Sequence, residues 1–314
     1  MLKIRTANDR LKEAATQPTP NNLFNSLVFE NETTILFADT GAGKSILTVQ
    51  IGNEISKKLR TLYVDMELST KQFGMRYSEG SATGETINYT FNDNLLIASF
   101  AADNRQNFSE EENEFDIFKE VENLIAENNI ECLIFDNVSM ISTGDVDKAK
   151  SVIPLMKKFK EIKEKHELTL IIVDHTKKRN EYIPISINDL NGSKMKANLV
   201  DSVFYIGKSR QDENLRYILQ LKNRSAEKAY TPDSVLECGI IKENAFLHFD
   251  FSDNLGCELD HIKQAPKTSK NERNSEIRSM HTMGTSNAEI GRKYNLSEGA
   301  IRKILLKSEN EYST

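Results

Sequence analysis

Residues 33–45 read Thr33-Thr34-Ile35-Leu36-Phe37-Ala38-Asp39-Thr40-Gly41-Ala42-Gly43-Lys44-Ser45, and the reading of this stretch decides the fold. An apolar run leads into a loop with two glycines, and an amphipathic segment continues from Ser45 to Lys58. Strand, G-x-x-x-x-G-K-[ST], helix is the order of a phosphate-binding P-loop. Residues 38–45 (Ala38, Asp39, Thr40, Gly41, Ala42, Gly43, Lys44 and Ser45) are its candidate nucleotide-binding set. Backbone N–H groups of such a loop wrap phosphate oxygens, and the helix N-terminus adds partial positive charge. Lys44 is expected to reach the β- and γ-phosphates, and the Ser45 hydroxyl to hold Mg²⁺. Gly41 can supply positive φ, and Gly43 permits close approach of backbone to phosphate. Ala38 replaces the first glycine of the pattern, a position that needs a small residue more than positive φ.

Working outward, 314 residues suffice for one large domain and a small one. No apolar run approaches the roughly 20 residues of a membrane span. Met1-Leu2-Lys3-Ile4-Arg5 lacks the apolar core of a signal peptide, so a cytoplasmic location is expected. Cys132, Cys238 and Cys257 lie far apart and form neither a disulfide framework nor a zinc-binding pattern. The net charge of −6 is uneven. Residues 262–308 carry ten Lys/Arg against four acids, a balance of +6 that leaves −12 on the remainder. A basic tail on an acidic body points to nucleic acid.

Residues 1–30 read as a lead segment: a helix from Thr6 to Ala15, a Pro-containing turn and an apolar stretch from Leu23 to Phe29. Beyond the P-loop helix, strands are expected at 60–67, 95–100, 132–136 and 168–175. Helices at about 69–79, 114–128 and 147–166 separate them. Four further strands follow near 203–206, 216–221, 235–241 and 245–251 with short turns between the last. Alternation of strand and helix predicts a mainly parallel α/β sheet flanked by helices, with an antiparallel end. The expected organisation is an ATP-binding domain at 31–251, a linker at 252–270 and a small all-helical domain at 271–308.

Ligands of open α/β sheets sit beyond the carboxyl ends of the strands. Asp136 ends the apolar run Cys132-Leu133-Ile134-Phe135, as in a Walker B element, and is the second candidate for holding Mg²⁺. Asp65 and Glu67 end another strand, and either could activate the attacking water. Period-two alternation puts both on one face, so spacing alone does not choose between them. His175 ends Ile171-Ile172-Val173-Asp174 at the same edge, suited to the γ-phosphate region. Lys222 and Arg224 end a later strand, two cations able to stabilise charge on a transferred phosphoryl group.

Taken in order, these residues resemble the RecA-like ATPases, and within them the hexameric replicative helicases of the DnaB and RepA type. The resemblance covers about residues 20–250, including Gly192-Ser193 and Asn198-Leu199-Val200-Asp201, similar to the segment after the family's DNA loop. It implies ATP as substrate, Glu67 as catalytic glutamate, Asp136 as Walker B acid and His175 as the link between nucleotide state and DNA. It further implies that Lys222 and Arg224 act on a neighbour's nucleotide in a homo-oligomer, expected to be a hexamer. Two DNA loops follow, at Asn137 to Asp147 and Thr176 to Lys196. Lys177, Lys178, Arg179, Lys194 and Lys196 of the second are the expected contacts to single-stranded DNA. The first is poor in positive charge.

The tail divides into three short helical patterns, at 273–280, 286–294 and 297–305. Ser286 and Ser297 are N-cap candidates, and Glu289 stands at the capping-box position. The Asn295-Leu296 turn fits a helix-turn-helix and looks like the tri-helical module of resolvases and sigma-type factors. Ser297, Glu298, Gly299, Arg302 and Lys303 would face duplex DNA, while Ile301, Ile304 and Leu305 pack inward. The expectation is therefore a Mg-ATP-hydrolysing oligomeric DNA motor, a helicase or helicase-like replication ATPase of a plasmid, phage or mobile element. The alternative is an ATP-switched DNA-bound regulator that oligomerises without unwinding. A partitioning or signalling ATPase with no nucleic-acid step is a third.

Overall fold

The computed structural model describes residues 4–80, 84–99, 113–140, 149–191, 194–263 and 270–309. Helix α1 (Ala7–Ala15) is capped by Thr6 and buries none of its residues. A small ribbon of β1 (Asn22–Phe24) and β2 (Val28–Phe29) then leads into β3 (Thr33–Ala38) and α2 (Lys44–Ile55). Leu23, Leu27 and Val28 are buried with the main core, so the domain begins about ten residues before the boundary expected from sequence.

Next come β4 (Thr61–Asp65) and α3 (Thr70–Arg76), the latter opened by a Ser69–Gln72 capping box. The expected longer helix stops at Arg76, and a hairpin of β5 (Ser78–Gly80) and β6 (Thr86–Asn88) follows. The chain then forms β7 (Leu95–Ser99), α4 (Asn113–Asn128), β8 (Cys132–Asp136), α5 (Ala149–His166) and β9 (Thr169–His175). A short α6 (Lys194–Asn198) leads to β10 (Ser202–Lys208), β11 (Leu215–Lys222), β12 (Val235–Glu243) and β13 (Phe246–Gly256).

Nine of these strands form one sheet in the order β13-β12-β11-β10-β3-β9-β8-β4-β7. β10, β3, β9, β8, β4 and β7 are parallel, and β11, β12 and β13 extend the sheet antiparallel. β3, β8 and β9 are buried on both faces, which is why they read as apolar runs. Register fixes the site: Ala38 pairs with His175, and Asp65 pairs with Asp136.

The expected linker is in part core. β13 runs to Gly256, which pairs with Val235, and α7 (Glu258–His261) follows with Glu258 and His261 buried. Ile262 is buried with the main core. The tail forms α8 (Lys270–Thr282), α9 (Asn287–Tyr294) and α10 (Glu298–Glu309) around Ile277, Ile290, Tyr294 and Ile301. Ser286 and Ser297 accept from Glu289 N and Ala300 N, and Asn295 adopts φ 53° in the turn between α9 and α10.

Candidate active site

The P-loop leaves β3 buried and enters α2 through two left-handed glycines, Gly41 at φ 72° and Gly43 at φ 102°. A Cβ on Gly43 would lie 2.8 Å from the Phe249 ring, so this position is closed to side chains by conformation and by space. Ala38 remains the last residue of β3 and is wholly buried. The loop is braced from outside by two cations that sequence reading missed. Lys208 Nζ donates to Thr40 O at 2.8 Å, and Arg216 Nε donates to Ala42 O at 3.2 Å. These residues face each other across β10 and β11, a relationship visible only in the register.

Lys44 is 7% exposed. Its ammonium donates to Ala38 O at 3.1 Å and Asp39 O at 3.3 Å, and lies 3.1 Å from His175 Nδ1. Burial lowers the pKa of Lys44, an effect opposed by Asp136, Glu67, Asp39 and Asp174. Burial also lowers that of His175, helped by the Lys44 charge. Asp39 is held by the Thr176 hydroxyl and stands 3.5 Å from the Tyr205 hydroxyl.

Asp136 is buried at the end of β8, where the Tyr63 hydroxyl donates to its Oδ2 at 2.6 Å. Burial pushes its pKa up to about 6, while the Tyr63 and Ser45 hydroxyls pull it down. Its Oδ1 is buried without a partner of hydrogen-bond geometry. A free carboxylate oxygen beside a P-loop serine fits Mg²⁺, which binds through few protein ligands and keeps several waters. Among the described residues no cluster of three or more His, Cys, Asp or Glu competes for a metal ion.

The two strand-end acids of β4 differ in tertiary setting. Asp65 Oδ1 accepts from the Glu67 and Leu68 N–H groups at 3.0 and 2.8 Å, and so shapes its own turn. Glu67 is exposed, and its Oε2 accepts from Asn137 Nδ2 at 2.8 Å. Asn137 Nδ2 also lies 3.3 Å from His175 Nε2. Asn137 was expected only as the start of a DNA loop, yet it is buried between two site residues. Its one sequence signal is its place directly after Asp136. The rest of that loop, residues 141–147, lies outside the described residues.

Other expected residues are distributed differently. Lys196 is not available to DNA: its side chain is fully buried and paired with Asp174 at 2.6 Å. A short helix turns it toward the strand end, an orientation that the charge of the loop could not reveal. Lys177 and Lys178 are exposed, whereas Arg179 is half-buried, donates to Ile183 O and interacts with the Tyr205 hydroxyl. Lys194 opens α6, but its side chain lies outside the described residues, as do Gly192 and Ser193. Lys222 donates to Ala197 O and Val200 O at 2.6 Å each. Arg224 donates to Asn198 O at 3.0 Å, with a guanidinium nitrogen 3.6 Å from Asp201. In the tail, Ser297, Arg302 and Lys303 are exposed, with Arg302 3.6 Å from Glu298.

A mainly parallel sheet flanked by helices, with a P-loop and carboxylates at the strand ends, defines a RecA-like P-loop ATPase. The chain belongs to the AAA domain family AAA_25, whose family model matches residues 2–181. No curated protein matches it. Among solved structures, an ATPase domain superposes with a TM-score of 0.55 at 10% identity, over 77% of this chain and 95% of that one. A KaiC-like protein, PH0186, from the hyperthermophilic archaeon Pyrococcus horikoshii OT3 gives 0.48 at 12% identity, over 72% and 94%. Among the described residues no helix is long and apolar enough to cross a membrane.

Proposed function

We propose that the chain is a Mg²⁺-dependent ATPase that assembles head to tail into a homo-oligomeric ring, expected to be a hexamer, and works on DNA. Its assigned task is unwinding or loading in replication of a plasmid, phage or other mobile element, as in the DnaB and RepA type of helicase. The observation that carries this reading is the hydrogen-bonded set Lys44, His175, Asn137 and Glu67 beside Asp136 at one sheet edge.

In this reading Lys44 and the N–H groups of residues 39–45 bind the ATP phosphates, and Ser45 and Asp136 hold Mg²⁺. The metal, when bound, neutralises charge on the phosphate oxygens. Glu67, exposed at the mouth, takes the proton of the attacking water, while Asp65 is committed to its turn. His175 reports the phosphate. Lys222 and Arg224 serve a neighbouring subunit; within their own chain Lys222 donates to Ala197 O and Val200 O, and Arg224 to Asn198 O. Lys177 and Lys178 present positive charge to single-stranded DNA.

The tail supports a second reading, an ATP-switched regulator bound to duplex DNA through Ser297, Arg302 and Lys303. A motor does not require such a module, and the capped helices around Ile277 and Ile301 form a core separate from that of the ATPase. Hydrolysis measured with and without single-stranded DNA, together with strand displacement on forked DNA, separates the readings. A motor gives DNA-stimulated hydrolysis and displacement, and a regulator gives duplex binding without displacement. Removal of residues after 263 should keep basal hydrolysis and reduce duplex affinity, each lost phosphate contact flattening the log–log salt slope by about 0.9. Hydrolysis in Lys44→Ala equal to the unmodified chain would overturn the P-loop assignment.

A further inference from the structure

Asn137 stands between Glu67 and His175 in an arrangement whose hydrogen bonds cannot all be satisfied at once. Burial and the Lys44 charge both lower the pKa of His175 and so favour its neutral imidazole. A neutral imidazole has one N–H donor and one lone pair. The Lys44 ammonium can only donate, and it lies 3.1 Å from Nδ1. Nδ1 is therefore the lone pair, and Nε2 carries the proton. That N–H points at the Asn137 amide nitrogen, 3.3 Å away, which is itself a donor. Turning the amide over would offer Oδ1 to Nε2. The same turn would set Oδ1 at the 2.8 Å position facing a carboxylate oxygen of Glu67, acceptor against acceptor. As it stands, Oδ1 is buried without a partner.

The conflict vanishes once Lys44 leaves His175. The imidazole proton then resides on Nδ1, after exchange of one proton with water at each nitrogen, and its composition and charge are unchanged. Nε2 becomes a lone pair that accepts one Asn137 hydrogen, while the other remains on Glu67. We propose that Asn137 is a positioning residue for Glu67 that His175 fixes in place only as the Nδ1–H tautomer, and that phosphate triggers the change by drawing Lys44 away. This inference rests on the ATPase reading for its trigger, whereas its tautomer step concerns the nucleotide-free chain alone.

The test is ¹⁵N NMR of the full chain labelled at histidine, with the His175 signals assigned by His175→Gln. Without nucleotide, His175 should be the Nε2–H tautomer, and Mg²⁺ with a non-hydrolysable ATP analogue should convert it to Nδ1–H. Lys44→Met should give the Nδ1–H tautomer with no nucleotide present, and adding Asn137→Ala to Lys44→Met should abolish that preference. Steady-state hydrolysis by Asn137→Ala should show kcat reduced at least about tenfold with KM within about twofold, as expected for loss of a bond to a charged group. An Nε2–H tautomer retained in Lys44→Met overturns the proposal, as does unchanged kcat in a folded Asn137→Ala chain. Failure of the unmodified chain to bind the analogue would instead defeat the ATPase reading. The nucleotide-free tautomers would still decide the Asn137 coupling.

Discussion

The Lys196 ammonium lies 2.6 Å from Asp174 Oδ2, and both side chains are fully buried. The pair fastens α6 to the end of β9, one residue before His175. Asp174 Oδ1 also accepts from the His175 N–H at 2.8 Å and stands 3.4 Å from the Ser139 hydroxyl. From α6, carbonyls of Ala197 and Asn198 reach Lys222 and Arg224. One covalent and hydrogen-bonded path therefore joins the nucleotide edge to the cations assigned to a neighbour.

Breaking this pair from one side should be costly, because the remaining charge stays buried without compensation. Lys196→Met is expected to destabilise the chain by about 3–5 kcal/mol, and Lys196→Met with Asp174→Leu by clearly less. Urea unfolding of the two variants checks this. A single-variant loss under about 1 kcal/mol would show that water reaches the pair.

Asp136 is expected to make the site sensitive to pH. Its folded pKa of about 6 lies above the ordinary 3.8 because burial disfavours the carboxylate. The folded chain thus binds the proton more tightly than the unfolded one, and metal-free stability should fall as pH rises between these values. If Mg²⁺ binds through this carboxylate as proposed, Mg·ATP affinity should weaken as pH falls through about 6. The Tyr63 hydrogen bond lowers this pKa, and Tyr63→Phe should move the acid limb of Mg·ATP binding to higher pH. Calorimetric titration between pH 5 and 8 reads the shift; an acid limb that stays in place removes Tyr63 from control of the metal site.

Arg224 should be needed by a neighbouring site and not by its own. Fingers supplied in trans contribute about 10³–10⁵ in rate, so Arg224→Ala should nearly abolish hydrolysis while leaving ATP affinity of the single subunit almost unchanged. Mixing supplies the decisive measurement. Arg224→Ala subunits keep the P-loop, and Lys44→Ala subunits keep the finger, so head-to-tail co-assembly should restore part of the activity. Co-assembly proven by cross-linking without any recovery would count against a shared site.

The order of elements was legible in sequence because local chemistry specifies it. Apolar runs marked the buried strands, Gly41 and Gly43 marked the P-loop, and serine caps marked the tail helices. The carboxylate and histidine at the ends of β8 and β9 were likewise readable, since parallel strands deliver their last residues to one edge. What sequence could not supply was the direction of each side chain within that edge. Asp65 and Glu67 share a face by periodicity, yet the Glu67 and Leu68 amides occupy Asp65. Lys196 looked like a loop cation until the turn of α6 buried it against Asp174. Asn137, Lys208 and Arg216 carry no motif of their own, and they matter through neighbours 38 to 174 residues away in the chain. Propensity and patterning act over a few residues, so the sequence alone determined the strands, helices and loop. The hydrogen-bond partners at the site depend on strand register and burial, and only the tertiary structure decided them.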